Sequence, residues 1–171
     1  MGGADKGLME FRGRPLVEWV IDALAPQVDD LVISANRNLE RYAAYGRRVV
    51  PDTLPDYPGP LAGVLAALDA VDTRWLLVAP CDTPQLPPDL ALRLLGAARV
   101  EDVPLAVAAD DSRLHHSCFL VHADQRDGLA AFLATGERAV RKWQAGLAST
   151  VVRFDAACFA NVNRPQDLLA G

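Results

Sequence analysis

Several polar residues stand where short apolar runs end. The run 76–79 (Leu-Leu-Val-Ala) is followed by Pro80, Cys81, Asp82 and Thr83. Ser34 and Asn36 close the run 31–34, and Asp52 follows the run 48–51. A polar side chain at the carboxyl end of a buried strand lies where open α/β sheets bind their ligands. Asp82 is the right chemistry for Mg²⁺, a hard cation usually held by one or two carboxylates plus the phosphates of its substrate. The amino-terminal GGADKG offers backbone N–H groups and one cation, Lys6, which suit phosphate oxygens. Each residue alone also reads as a turn former or helix cap. Their recurrence at successive strand ends favours a site.

Other motifs are less decisive. The stretch 57–63, YPGPLAG, contains Pro58, Gly59, Pro60, Leu61 and Gly63. It can be a tight turn into a helix, or a place where backbone approaches a planar base, and the turn alone explains it. His115, His116 and His122 lack metal-ligand spacing, so strand or loop positions with hydrogen bonds to neighbours are expected. Cys81 lies beside an acid with no activating base in sequence, and no GxSxG elbow is present. A small buried residue is the expectation for Cys81.

Alternating elements must position these groups. Pro15 opens an amphipathic helix over 15–24, with Leu16, Val17, Val20, Ile21 and Leu24 on one face. Strands are expected over 31–34 and 48–51, with a short helix over 39–45 between them. Pro60 starts a second long helix, and 75–79 reads as a strand buried on both faces. A helix from Pro87 or Pro88 to about 98 follows, then strands at 105–109 and 118–121 joined by a polar connection at 110–116. Helices at 124–134 and 137–145, a strand at 150–154, an extended piece at 159–162 and a terminal helix at 165–170 complete the chain. The alternation predicts βαβ units and a mostly parallel sheet.

The totals fit one domain of 171 residues, 51% hydrophobic and 23% charged. A net charge of −5 with dispersed Lys and Arg argues against nucleic acid or an anionic membrane as partner. No apolar run approaches the roughly 20 residues of a membrane span. Three widely spaced cysteines and no signal-peptide pattern suit a reduced, cytoplasmic compartment.

Taken in order, DKGL, GRPL, SANRN, PDTLPDYPGPLAG, APCDTPQLPPDL and NVNRP resemble the molybdenum cofactor guanylyltransferase (MobA) family over nearly the whole chain. The resemblance implies a Rossmann-like, three-layer α/β nucleotidyltransferase fold in a single domain, 1–171. The nucleotide-binding part would cover about 1–100 and the acceptor part about 101–171. It implies transfer of GMP from Mg²⁺-bound GTP to Mo-molybdopterin, releasing pyrophosphate. Molybdenum cofactor biosynthesis proteins and molybdoenzyme chaperones are the implied protein partners.

Position by position, Lys6 matches a lysine on the GTP phosphates, and Asp82 matches the Mg²⁺ ligand. Asp52 and the 58–63 segment match the guanine- and ribose-recognising region. Asn36 matches the asparagine of ANR, while Ser34 stands where a relative carries asparagine. Asn161 and Asn163 match residues of molybdopterin binding or catalysis, and Arg138, Arg141 and Lys142 fall on the pterin side. The family opens with a strand and the loop LAGGxSxRMGG, and this sequence starts at its MGG end. A sheet without that strand must show a gap or a repaired pairing. A cytidylyl homologue and a non-catalytic nucleotide- or pterin-binding module are the alternatives.

Overall fold

The computed structural model describes residues 5–52 and 59–162. A single turn of 3₁₀-helix at Lys6–Leu8 leads into a small hairpin, Glu10–Phe11 (β1) and Arg14–Pro15 (β2). Its two-residue loop puts Arg12 at φ 51° and Gly13 at φ 77°. Positive φ at both central residues matches the twist of a tight hairpin, and glycine accepts it without strain. Helix Leu16–Leu24 (α1) follows, burying Leu16, Val17, Val20 and Leu24 as the periodicity predicts.

Strand Val32–Ser34 (β3), helix Leu39–Ala43 (α2) and strand Arg48–Val50 (β4) form a parallel β3–β4 pair. Helix Pro60–Ala70 (α3) packs on this pair and on strand Trp75–Val78 (β5). Helix Leu90–Glu101 (α4) begins two residues later than the prolines suggest. Gln27 explains the start, because its amide oxygen accepts from Ala91 N at 3.0 Å while its nitrogen donates to Pro87 O at 2.9 Å.

Strands Leu105–Ala109 (β6) and Leu114–His122 (β7) come next, then helices Arg126–Ala134 (α5) and Val140–Ala145 (α6) and strand Ser149–Arg153 (β8). The order β5-β7-β6-β8 makes one four-stranded sheet. β7 is antiparallel to both neighbours, while β6 and β8 are parallel. Three strands therefore run one way and β7 alone opposes them. The mostly parallel expectation meets a mixed sheet here, because β6 and β7 are joined too tightly for a crossover helix.

β7 also starts earlier than expected. Leu114, His115 and His116 belong to the strand rather than to a polar connection, and Ala109 pairs with Leu114 across a register shift. Asp110 closes the turn by accepting from Ser112 N, Ser112 Oγ and Arg113 N. Near the end of the described chain, Ala156–Phe159 is a 3₁₀ turn that takes only Phe159 from the extended piece expected over 159–162, and Ala160 after it is extended. Helix 137–145 shortens to α6, and the helix expected at 165–170 lies outside the described residues.

Alternating side chains of the four-stranded sheet define three layers. Ala106, Ala108, Cys118 and Leu120 pack with α1 and α4 residues such as Val20, Leu24, Leu90 and Leu94. Leu105, Val107, Phe119 and Val121 pack with Leu61, Val64, Leu129, Leu133 and Trp143 on the opposite side.

β3 and β5 do not pair with each other. Between them lies an apolar cavity of about 820 Å³, walled by Ile33, Leu76, Val78, Val20, Val64 and Ala67. All four β5 residues are only half-buried, which corrects the expectation of a strand sealed on both faces. Their second edge borders this gap rather than another strand.

Candidate active site

The amino-terminal loop is tied to two separate strand ends. Lys6 Nζ lies 3.3 Å from Asp82 Oδ2, just past β5. Asp5 reaches the other way, accepting from Tyr42 Oη at 2.6 Å and Asn38 Nδ2 at 2.9 Å, with Arg37 Nε at 3.6 Å. Gly7 sits between these ends. A Cβ there would meet Tyr42 Oη at 2.5 Å and Cys81 Cβ at 3.5 Å, so glycine permits the loop to lie flat on both.

Asn36 and Asp52 lock the loops after β3 and β4 together. Asn36 Nδ2 donates to Asp52 Oδ2 at 2.7 Å, and Asp52 N donates to Asn36 Oδ1 at 2.8 Å. Gly63 in the first turns of α3 touches the same place. A Cβ on it would collide with Ser34 Oγ and come within 3.4 Å of Asp52 Oδ1. Ser34, Asn36 and Asp52 at the strand ends and Gly63 in α3 therefore form one cluster. Gly59 caps α3 and Pro60 opens it. Leu61 is buried in the core beneath, so only its backbone can face a ligand. Pro58 lies outside the described residues.

The remaining candidates divide. Val162 N donates to Asp82 O at 3.0 Å, which docks the segment carrying Asn161 against the Asp82 loop. Asn163 lies outside the described residues. Arg138 donates to Leu133 O and Glu137 O, and Lys142 pairs with Glu137 at 2.9 Å. These contacts hold Arg138 and Lys142 to the α5–α6 turn; Arg141 is exposed on α6 itself.

Asp5, Asn38 and Tyr42 were not among the sequence candidates, although they fix the amino-terminal loop. Asp5 stands next to Lys6 in DKG, the one signal that could have raised it. Burial, with Asp5 accepting the phenolic hydrogen, pushes the Tyr42 hydroxyl well above its usual range. Burial and the nearby Asp82 and Asp5 carboxylates push the Cys81 thiol up to about 11. Cys81 is thus neutral at pH 7 and no nucleophile.

The donor set also bears on metal binding. Among the described residues no group of three or more His, Cys, Asp or Glu side chains is placed to enclose a cation. A single carboxylate at a strand end, with a lysine beside it, fits a hard cation that takes its other ligands from substrate phosphates and water.

A parallel β3–β4 pair, a mixed sheet and polar groups at the strand ends make an α/β domain with a ligand-binding rim. The profile of the MobA-like NTP transferase domain matches residues 1–151. A molybdenum cofactor guanylyltransferase of Shewanella halifaxensis is 42% identical over 168 residues, covering 97% of this chain and 84% of that protein. The chain belongs to the molybdenum cofactor guanylyltransferase family. The fold is shared with molybdopterin-guanine dinucleotide biosynthesis protein A from Archaeoglobus fulgidus, at TM-score 0.79 and 21% identity over 97% of this chain and 88% of that one. It is shared too with a Mycobacterium tuberculosis protein solved as a manganese complex, at TM-score 0.73 and 17% identity over 99% of this chain and 94% of that one. No helix among the described residues is long and apolar enough to cross a membrane.

Proposed function

We propose that this chain transfers GMP from GTP to the terminal phosphate of Mo-molybdopterin, releasing pyrophosphate. The observation that carries the proposal is the Lys6–Asp82 pair at the end of β5, within a chain of family rank. Such a reaction brings polyanions together, so the protein must neutralise charge and align the attack. Asp82 is the residue to hold Mg²⁺, which when bound offsets the charge of the GTP phosphates. Lys6 is half-exposed and can turn from Asp82 to the departing pyrophosphate. The acceptor phosphate is already ionised at neutral pH, so no strong general base is required. A neutral Cys81 adds no further negative charge beneath these groups.

The Ser34–Asn36–Asp52–Gly63 cluster is the proposed seat of the guanine and ribose. Asn161, Asn163, Arg138, Arg141 and Lys142 are the proposed acceptor side, dividing the domain near residue 100. Three free cysteines suit a cytoplasmic enzyme. The test is a donor comparison with Mo-molybdopterin as acceptor. GTP should yield dinucleotide and pyrophosphate at least about tenfold faster than CTP, a modest requirement for discrimination by base hydrogen bonds. Preference for CTP would assign the chain to cytidylyl transfer instead.

A further inference from the structure

We propose that Asp5 is a positioning residue of the transfer site: it anchors the loop that carries Lys6 while its own carboxylate is kept from pairing with Lys6. This rests on the GMP-transfer reading above, in which Lys6 meets the donor phosphates.

Lys6 serves a phosphate only if its charge is not already offset by a carboxylate that cannot let go. Two carboxylates compete for it, Asp82 across the site and Asp5 next to it in the chain. The structure separates their roles. Lys6 Nζ lies 3.3 Å from Asp82 Oδ2, with half of the lysine side chain exposed. Asp5 is engaged elsewhere. Its Oδ1 accepts from Tyr42 Oη at 2.6 Å, and its Oδ2 accepts from Asn38 Nδ2 at 2.9 Å with Arg37 Nε at 3.6 Å. Both oxygens of Asp5 are thus committed to the region of α2.

The donors are themselves fixed. Tyr42 is 5% exposed, and its ring packs with Val17 and Ile33. Asn38 precedes α2 in a left-handed conformation, φ 53°, which asparagine adopts more readily than most residues. Packing and backbone, rather than the loop, therefore set the points that receive Asp5.

One backbone turn carries the anchor to Lys6. Leu8 N donates to Asp5 O at 3.1 Å, so the residue gripped by Tyr42 and Asn38 also starts the 3₁₀ turn in which Lys6 stands first. Gly7, next in that turn, lies against Tyr42 and Cys81 with no room for a Cβ. Grip, turn and close contact fix where the Lys6 stem begins and let its ammonium swing between Asp82 and a phosphate. Ordering the loop before the ligand arrives removes that cost from binding. A released Asp5 would both loosen the stem and offer Lys6 a competing carboxylate.

The test is a double-mutant cycle read by binding. Equilibrium affinity for GTP with Mg²⁺ is measured for the wild type, Asp5→Ala, Lys6→Gln and the double variant, with folding checked by circular dichroism. Asp5→Ala should weaken GTP binding at least about tenfold, the scale of a lost charge-assisted hydrogen bond. In the Lys6→Gln background the same substitution should change affinity less than about twofold, because Asp5 acts through Lys6. A merely structural role would weaken both backgrounds alike. Tyr42→Phe loosens the grip but keeps the ring in its apolar cluster. It should show the same pattern at about two- to fivefold, and it decides the case if Asp5→Ala does not fold. Equal losses in both backgrounds, no loss in either, or a wild type that does not bind GTP overturns the proposal. Binding needs no turnover. The predicted pattern in a chain that transfers no GMP would refute the transfer alone, and equal losses in a chain that transfers GMP would refute this inference alone.

Discussion

The two sides of the proposed catalytic rim are backed by apolar packing to different extents. Behind Asp82 stands a four-stranded sheet with apolar clusters on both faces, where Leu105, Ala106, Ala108 and Val121 have no exposed surface. Behind Asn36 and Asp52 stand two three-residue strands, which alone would be marginal. Their inner edge borders the 820 Å³ cavity rather than β5. What joins this side to the rest is α3 packing, a small apolar cluster in which Val17 and Ile21 of α1 meet Ile33, Tyr42 and Val49, and a set of polar side chains: Asn36 with Asp52, and Asp5 with Tyr42, Asn38 and Arg37. Hydrogen bonds of this kind contribute about 1 kcal/mol each, whereas burial of a large side chain contributes about 1.5–3 kcal/mol. The half that seats the proposed nucleotide is therefore the less stable half.

Paired core substitutions test that contrast most strongly. Leu105→Ala removes a side chain packed on all sides and should cost about 3–5 kcal/mol in urea unfolding. Ile33→Ala, on the cavity wall, removes contacts that are already incomplete and should cost about 2 kcal/mol, the low end of such losses. Equal losses would mean that the gap does not loosen β3. Tyr42→Phe deletes the bond to Asp5 and should cost about 1 kcal/mol, with faster amide exchange in β3 and β4 and none in β6 and β7. Matching acceleration in both sheets would show that the halves open together.

A smaller effect belongs to pH. The folded state depresses the Asp110 carboxyl below its unfolded value near pH 4. Its contribution is therefore present above about pH 4 and is lost as pH falls further. Thermal melts from pH 7 to 2.5 should show Asp110→Asn losing less stability on acidification than the wild type. Parallel curves would mean that Asp110 is not distinguished from the unfolded state.

Much of this arrangement is legible in the residues. Apolar runs and prolines locate α1, β3, β4, α3 and β6, because each element buries its own stripe. The polar strand ends point to one rim, and Asn36, Asp52, Ser34 and Gly63 meet there. Two things could not be read locally. His115 and His116 look like loop residues, since their place in β7 depends on a turn closed by Asp110 and on pairing with β6. The half-burial of β5 depends on what borders its second edge, which no pattern within WLLV records. The role of Asp5 is hidden for a related reason, as its three partners lie more than thirty positions away.

The most direct measurement is GMP transfer from Mg·GTP to Mo-molybdopterin by the wild type and by Asp82→Ala, with folding checked by circular dichroism. Asp82 is a rim residue outside the apolar clusters, so the variant should fold as the wild type does. Dinucleotide formation and pyrophosphate release should fall by at least about 1,000-fold, the scale of losing a charge-stabilising group in a transfer reaction. A folded Asp82→Ala variant with normal transfer would contradict the assignment of this rim as the catalytic site.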